Sequence, residues 1–199
     1  MQSVHKQVLS IISRFSQGTI FFPEKFDFLG SSESVRQALS RICKEGTIIR
    51  LSKGVYLFPF IDKELGVLFP SIERIAKAIA IRDKSRLLPT GLYALNKLGL
   101  STQVPMKVVF YTDGIPRKIS IGNQIIVFKK IAPKNFTFKG KITPLIVAAL
   151  KEIGKDNINN NILLKLKETV KLETKEVVHE DAHIAPQWIT DIIIKLTND

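Results

Sequence analysis

The sequence predicts an α+β chain of two domains: an N-terminal winged helix-turn-helix, then a mixed α/β C-terminal domain with a small antiparallel sheet. Three observations predict it. The first sixty residues run in the order helix, helix, helix, hairpin. A stretch bounded by Pro59 and Pro70 then breaks the pattern. From Lys107 the apolar period changes from helical to alternating. The domains are therefore residues 1–59 and 71–199, joined by a linker over 60–70.

Each element has its own signal. Val4, Val8, Ile11, Ile12 and Phe15 recur at helical spacing, so residues 3–15 form an amphipathic helix ending near Gly18. Thr19 to Phe22 suits a short strand, and Pro23 opens a small helix carrying Phe26 and Leu29. Ser34 with Gln37 three residues on is a capping-box arrangement that starts a third helix. Val35, Ala38, Leu39, Ile42 and Cys43 form its apolar stripe, and Gly46 stands where a C-terminal cap belongs. Strands 47–51 and 55–58 follow, joined at Ser52-Lys53-Gly54. In the second domain, Ile72 to about Lys84 and GLYALNKL read as helices, the latter capped at Pro89-Thr90. KVVFYT, RKISI and QIIVFKKI read as strands separated by the tight-turn pairs Asp113-Gly114 and Gly122-Asn123. Thr143-Pro144 starts a helix, LLKLKETV resumes one after NINNN, and a last helix begins near Pro186.

The chain has 199 residues, 45% of them hydrophobic, which is ample for a core. No apolar run is long enough to span a membrane, and the N-terminal stretch has the pattern of an amphipathic helix and no cleavage site. The expectation is a soluble cytoplasmic protein. Cys43 is the only cysteine, so no intrachain disulfide forms. On the apolar side of a helix it reads as a small hydrophobe. Thirty Lys and Arg against eighteen Asp and Glu give a net charge of +12. That balance favours a polyanionic partner, nucleic acid or an acidic protein.

The distribution of charge singles out the third helix and the hairpin. With Val35, Ala38, Leu39 and Ile42 inward, the outer face holds Arg36, Gln37, Ser40, Arg41 and Lys44. Arg forks match guanine, Gln pairs with adenine, and Ser34, Ser40 and Lys44 suit phosphates. The hairpin adds Arg50 and Lys53, the latter at its turn. Residues 31–58 carry five basic and two acidic side chains. Such residues also decorate any solvated helix, and the pattern and the charge together favour double-stranded DNA.

The run SVRQALSRICKEGTIIRLSKGVYLFP resembles the N-terminal winged helix of the AbiEi antitoxins of abortive-infection, type IV toxin–antitoxin systems. LLPTGLYALNKLGLSTQVP is similar to the segment that opens that family's second domain, and VVFYTDGIPRKI to its next strands. The likeness covers residues 1–131 well and the rest loosely. It implies a repressor that binds its own promoter through the winged helix. It also implies a second domain that neutralises a nucleotidyltransferase-like toxin, directly or functionally. A plain winged-helix regulator without a toxin is the alternative.

Residues 107–141 gather eight basic residues against Asp113 alone. Arg117, Lys118, Lys129 and Lys130 are candidates for contact with a toxin or nucleic acid, edge-strand lysines being the plainer reading. Tyr93, Phe110 and Tyr111 offer stacking surfaces, although aromatics in alternating strands are more often core. His179-Glu180-Asp181-Ala182-His183 fits the zinc-hydrolase pattern H-E-x-x-H. Against it, VKLETKEVV reads as strand or loop, Pro186 follows closely, and only Asp191 offers a downstream third ligand. A binding protein with no catalytic residue, metal or cofactor is the expectation, and a zinc hydrolase using His179 and His183 the remote alternative.

Overall fold

The computed structural model of the chain describes residues 3–198 and is α+β, with eight α-helices and nine short strands among them. Contacts divide it into two compact units, Met1–Arg82 with Ile119–Asn123, and Asp83–Lys118 with Gln124–Asp199.

In the first unit, α1 (Val4–Ile12) starts at Ser3, whose hydroxyl accepts the Lys6 N–H. It buries Val8 and Ile12 and ends one turn earlier than its apolar pattern suggests. Strand β1 (Thr19–Phe21), a 3-10 turn over Pro23–Leu29, α2 (Ser32–Lys44), β2 (Ile49–Ser52) and β3 (Val55–Phe58) follow. The three strands form an antiparallel sheet in the order β1-β3-β2. Val35, Leu39 and Ile42 of α2 pack into one core with Val8, Ile12 and Phe26. Each such burial stabilises by roughly 1.5–3 kcal/mol. Phe21 stacks on Tyr56 at 5.7 Å and meets Phe26 edge-on at 5.9 Å, which ties the sheet to the helices.

Three sequence expectations change in this unit. The cap of α2 is Ser31, not Ser34: Ser31 accepts the Ser34 amide at 3.2 Å, and the Ser34 hydroxyl donates to the Ser31 carbonyl at 2.8 Å. Ser31 stands just outside the helix with extended backbone, where its side chain can take an orphan amide of the first turn, whereas Ser34 lies inside the helix. Residues 60–70 are not a bare linker. They form a hairpin, β4 (Phe60–Asp62) and β5 (Gly66–Leu68), whose turn is set by the Asp62 carboxylate accepting the Glu64 and Leu65 amides at 2.9 Å. The helix α3 (Ile72–Arg82), expected to open the second domain, belongs to the first unit.

The second unit holds β6 (Leu87–Pro89), α4 (Gly91–Lys97), β7 (Lys107–Thr112), β9 (Gln124–Lys130) and the first two residues of β8 (Arg117–Ile121), the rest of which falls in the first unit. Helices α5 (Thr143–Ile153), α6 (Asn160–Val170), α7 (Lys175–Ala182) and α8 (Gln187–Asn198) complete it. The sheet order is β6-β7-β9-β8. Pairing of β6 with β7 is antiparallel, but β7 and β9 run parallel, from Lys107 opposite Ile125 to Thr112 opposite Lys130. The wholly antiparallel expectation therefore fails. Asp113 does not close a β7–β8 hairpin, because β9 lies between those strands; its carboxylate takes the Arg86 amide at 2.7 Å and the Arg86 guanidinium at 2.8 Å. Strand β6 was hidden in a three-residue run ending in proline, too short to show a period.

The helices of this unit share a core that includes Leu150, Leu166, Val178, Ile189 and Ile193. Asn159, within the Asn-rich stretch, caps α6 by accepting the Ile162 amide at 3.0 Å. The segment read as strand or loop before His179 is helical from Lys175, with buried Val178 seated in the core. Tertiary packing outweighs β-branched propensity there. No helix among the described residues is long and apolar enough to cross a membrane.

Candidate nucleic-acid interface

The outward face of α2 follows from its inward one. Val35, Ala38, Leu39 and Ile42 are buried, and the helical period leaves Arg36, Gln37, Ser40, Arg41 and Lys44 exposed. Glu33, in the first turn, is an acid that pairs with this face. It lies 3.9 Å from Arg36, with both side chains about two-thirds exposed, and accepts from the Gln37 amide at 3.2 Å. Such exposed pairs are weak and screened by salt, so an incoming polyanion displaces them at small cost. Ser34 stands apart from the other candidates. It is half-buried and its hydroxyl is spent on the Ser31 carbonyl, so it braces the start of α2 behind the Ser31 cap.

The β2–β3 hairpin supplies the second part. Arg50 is exposed and pairs across the strands with Tyr56, and the register shifts between Arg50 and Ser52. Lys53 is exposed at the turn, beside Gly54 at φ +71°, a left-handed conformation that glycine adopts without strain. Burial pushes the Tyr56 hydroxyl up, opposed by the fields of Arg50 and Arg36. Burial likewise raises the Cys43 thiol, opposed by Arg50. Helix and hairpin thus bring Arg36 and Arg50 to bear on one buried ring. Cys43 is half-buried against the core and stays a protonated thiol at neutral pH.

Arg82 also belongs to this site, although nothing in its sequence context marks it. Its guanidinium donates to the Gly54 carbonyl at 3.0 Å and lies 4.6 Å from the centre of the Phe22 ring. The hairpin tip is therefore braced from α3. Chemically, the helix face offers two guanidinium forks and an amide for base edges, and the hairpin offers cations for phosphates.

The lysine-rich strands do not form the single surface that their count suggests. Arg117 sits 2.5 Å from Asp83, with side chains only 15% and 12% exposed, so it is committed to a largely buried ion pair. Lys118, Lys129 and Lys130 are exposed. Lys129 and Lys130 are neighbours on β9 and so point to opposite faces of the sheet. Lys139 pairs with Glu180. Phe110 is buried and meets Tyr93 edge-on at 5.0 Å, which makes that ring core and not a stacking platform.

The H-E-x-x-H segment does lie on a helix, contrary to the expectation of a strand or loop. His179 Nε2 is 2.8 Å from Thr197 Oγ1, and His183 is the exposed C-cap of α7. Asp181 is buried and accepts the Lys139 and Gly140 amides at 2.8 Å each. Among the described residues no group of three or more His, Cys, Asp or Glu side chains could hold a metal ion.

The profile of DUF6088, described as a family of unknown function, matches residues 7–178. No curated protein matches the chain. Among solved structures, the crystal structure of the RV2827C protein from Mycobacterium tuberculosis is similar, with a TM-score of 0.50 and 12% identity over all of this chain and 77% of that one. At that identity the likeness concerns the fold alone.

Proposed function

We propose that this chain, which belongs to the DUF6088 family, is a winged helix-turn-helix protein that binds double-stranded DNA through α2 and the β2–β3 hairpin. The observation that carries the reading is the outward face of α2, where Arg36, Gln37, Ser40, Arg41 and Lys44 are all exposed beside an Arg50- and Lys53-bearing hairpin. The element order supports it: α1 packed beneath α2, strand β1 and a 3-10 turn between them, then the β2–β3 hairpin that completes a three-stranded sheet with β1. The net charge of +12 adds the long-range attraction to phosphate that such binding uses. In this reading Arg36, Gln37 and Arg41 contact bases, and Ser40, Lys44, Arg50 and Lys53 the backbone. Ser34 acts by holding the first turn of α2 through its bond to the Ser31 carbonyl.

The biological role we propose is that of an AbiEi-like antitoxin that represses its own operon and neutralises a nucleotidyltransferase-like toxin from the cytoplasm. The support is the likeness of residues 1–131 to that family. Co-expression with a nucleotidyltransferase-like toxin encoded beside its gene tests it. Growth rescue is expected, and toxicity unrelieved by well-expressed protein would leave the plain DNA-binding regulator as the reading.

A further inference from the structure

Two adjoining cavities open on the C-terminal helices of the second unit. One, of about 480 Å³, lies between α6 and α8 and is lined by Leu163, Leu164, Ile192 and Leu196. The other, of about 380 Å³, is lined by Val170 and Val178, with Leu196 again. Lys167 and Leu196 line both, so the two make one groove.

Its floor is apolar and continuous with the core, where Leu166, Val170, Val178 and Leu196 pack together. Leu164 is 63% exposed at its edge, a large side chain left in water beside an apolar channel. The rim is basic. Lys167 and Lys195 border the first cavity, Lys171 and Lys175 the second. Glu173 is the one acid lining either of these cavities, and it does not neutralise the rim. Its carboxylate is already engaged, accepting the amides of Lys141, Ile142 and Thr143 and the Thr143 hydroxyl. Lys171 reaches Glu168 at 2.7 Å, an exposed pair that an incoming carboxylate can exchange.

We propose that this groove docks an acidic amphipathic segment of a partner protein. The segment's apolar stripe lies on Leu164 and Ile192, and its carboxylates meet Lys167 and Lys195. Charge decides among occupants. A second copy of this chain, at +12, would bring lysine rim towards lysine rim. A small anion would leave the apolar floor uncovered. The docking does not depend on DNA binding, and either can fail without the other.

The test uses the full chain and two fluorescein-labelled helical peptides of about 18 residues. Both carry leucine at i, i+3, i+4 and i+7, one with glutamate on its remaining face and its twin with lysine. The glutamate peptide binds, the lysine twin does not, and Leu164→Glu or the pair Lys167→Glu and Lys195→Glu weakens binding at least about tenfold. Leu164→Glu, at an exposed position, keeps the melting temperature of the parent and stands alone if the charge-reversal pair does not fold. Equal binding of the two peptides, affinity unchanged in Leu164→Glu, or no binding of the glutamate peptide overturns the proposal. Self-association of the chain that Leu164→Glu abolishes would assign the groove to a second copy and overturn it too.

Discussion

The guanidinium of Arg82, the last residue of α3, donates to the carbonyl of Gly54 at the tip of the β2–β3 hairpin, 3.0 Å away. Two residues 28 apart in the chain thereby fix the attitude of Lys53. Arg82→Ala removes this bond and the contact with Phe22, at a cost of about 1–2 kcal/mol. The expected outcome is a lower denaturation midpoint and a several-fold loss of DNA affinity, with base preference kept because α2 is untouched. Unchanged stability and affinity would mean the brace is idle.

Lys53 itself acts as a phosphate contact in this account. Lys53→Ala should weaken all DNA sequences alike and reduce the slope of log affinity against log salt by roughly one. Titrations at several salt concentrations read both. A loss confined to one sequence would make Lys53 a base reader.

Arg117 separates from the lysines with which the sequence groups it. Arg117→Glu sets a carboxylate against Asp83 inside a largely buried pair and should cost about 2–4 kcal/mol. Lys129→Glu and Lys130→Glu, both exposed, should change stability by less than about 0.5 kcal/mol each. Denaturant unfolding of the three variants compares them. If these strands engage the toxin or its nucleic acid, the two lysine variants lose growth rescue while remaining folded. Full rescue would leave them as edge protection.

Glu173 gives the second unit an acid-sensitive clasp. Burial opposes its charge, but the amides of Ile142, Thr143 and Lys141 and the Thr143 hydroxyl outweigh it and hold its carboxyl below the ordinary value of 4.5. A lowered folded pKa contributes stability that is complete above the unfolded value and is lost as pH falls through the folded one. Unfolding free energy measured downward from pH 6 should therefore fall more steeply in the wild type than in Glu173→Gln. The variant should itself be less stable at pH 7 by about 1–3 kcal/mol. Parallel acid limbs would contradict this.

The legible parts of the chain were those with long periods. The stripe Val35, Ala38, Leu39, Ile42 identifies the outward residues of α2 from the sequence alone, and the alternating runs after Lys107 locate β7, β8 and β9. What stayed hidden depends on distant partners. Nothing near Arg117 in sequence announces Asp83, and nothing near Gly54 announces Arg82. The helix at Lys175–Ala182 was missed because its β-branched valines favour a strand locally, while Val178 gains more by burial among α5, α6 and α8. The parallel pairing of β7 with β9 was missed because a tight-turn pair was read as a hairpin, whereas Asp113 serves Arg86.

The most direct measurement is the affinity of the full chain for the DNA upstream of its own gene, against a scrambled duplex of equal length at the same salt. The account predicts tighter binding to the upstream DNA. It further predicts that Arg36→Ala and Arg41→Ala each cost about 1–3 kcal/mol and narrow the gap between the two duplexes. Wild-type affinity in the double variant, or equal binding to both duplexes by the parent chain, would contradict the assignment of α2 as a DNA-reading helix.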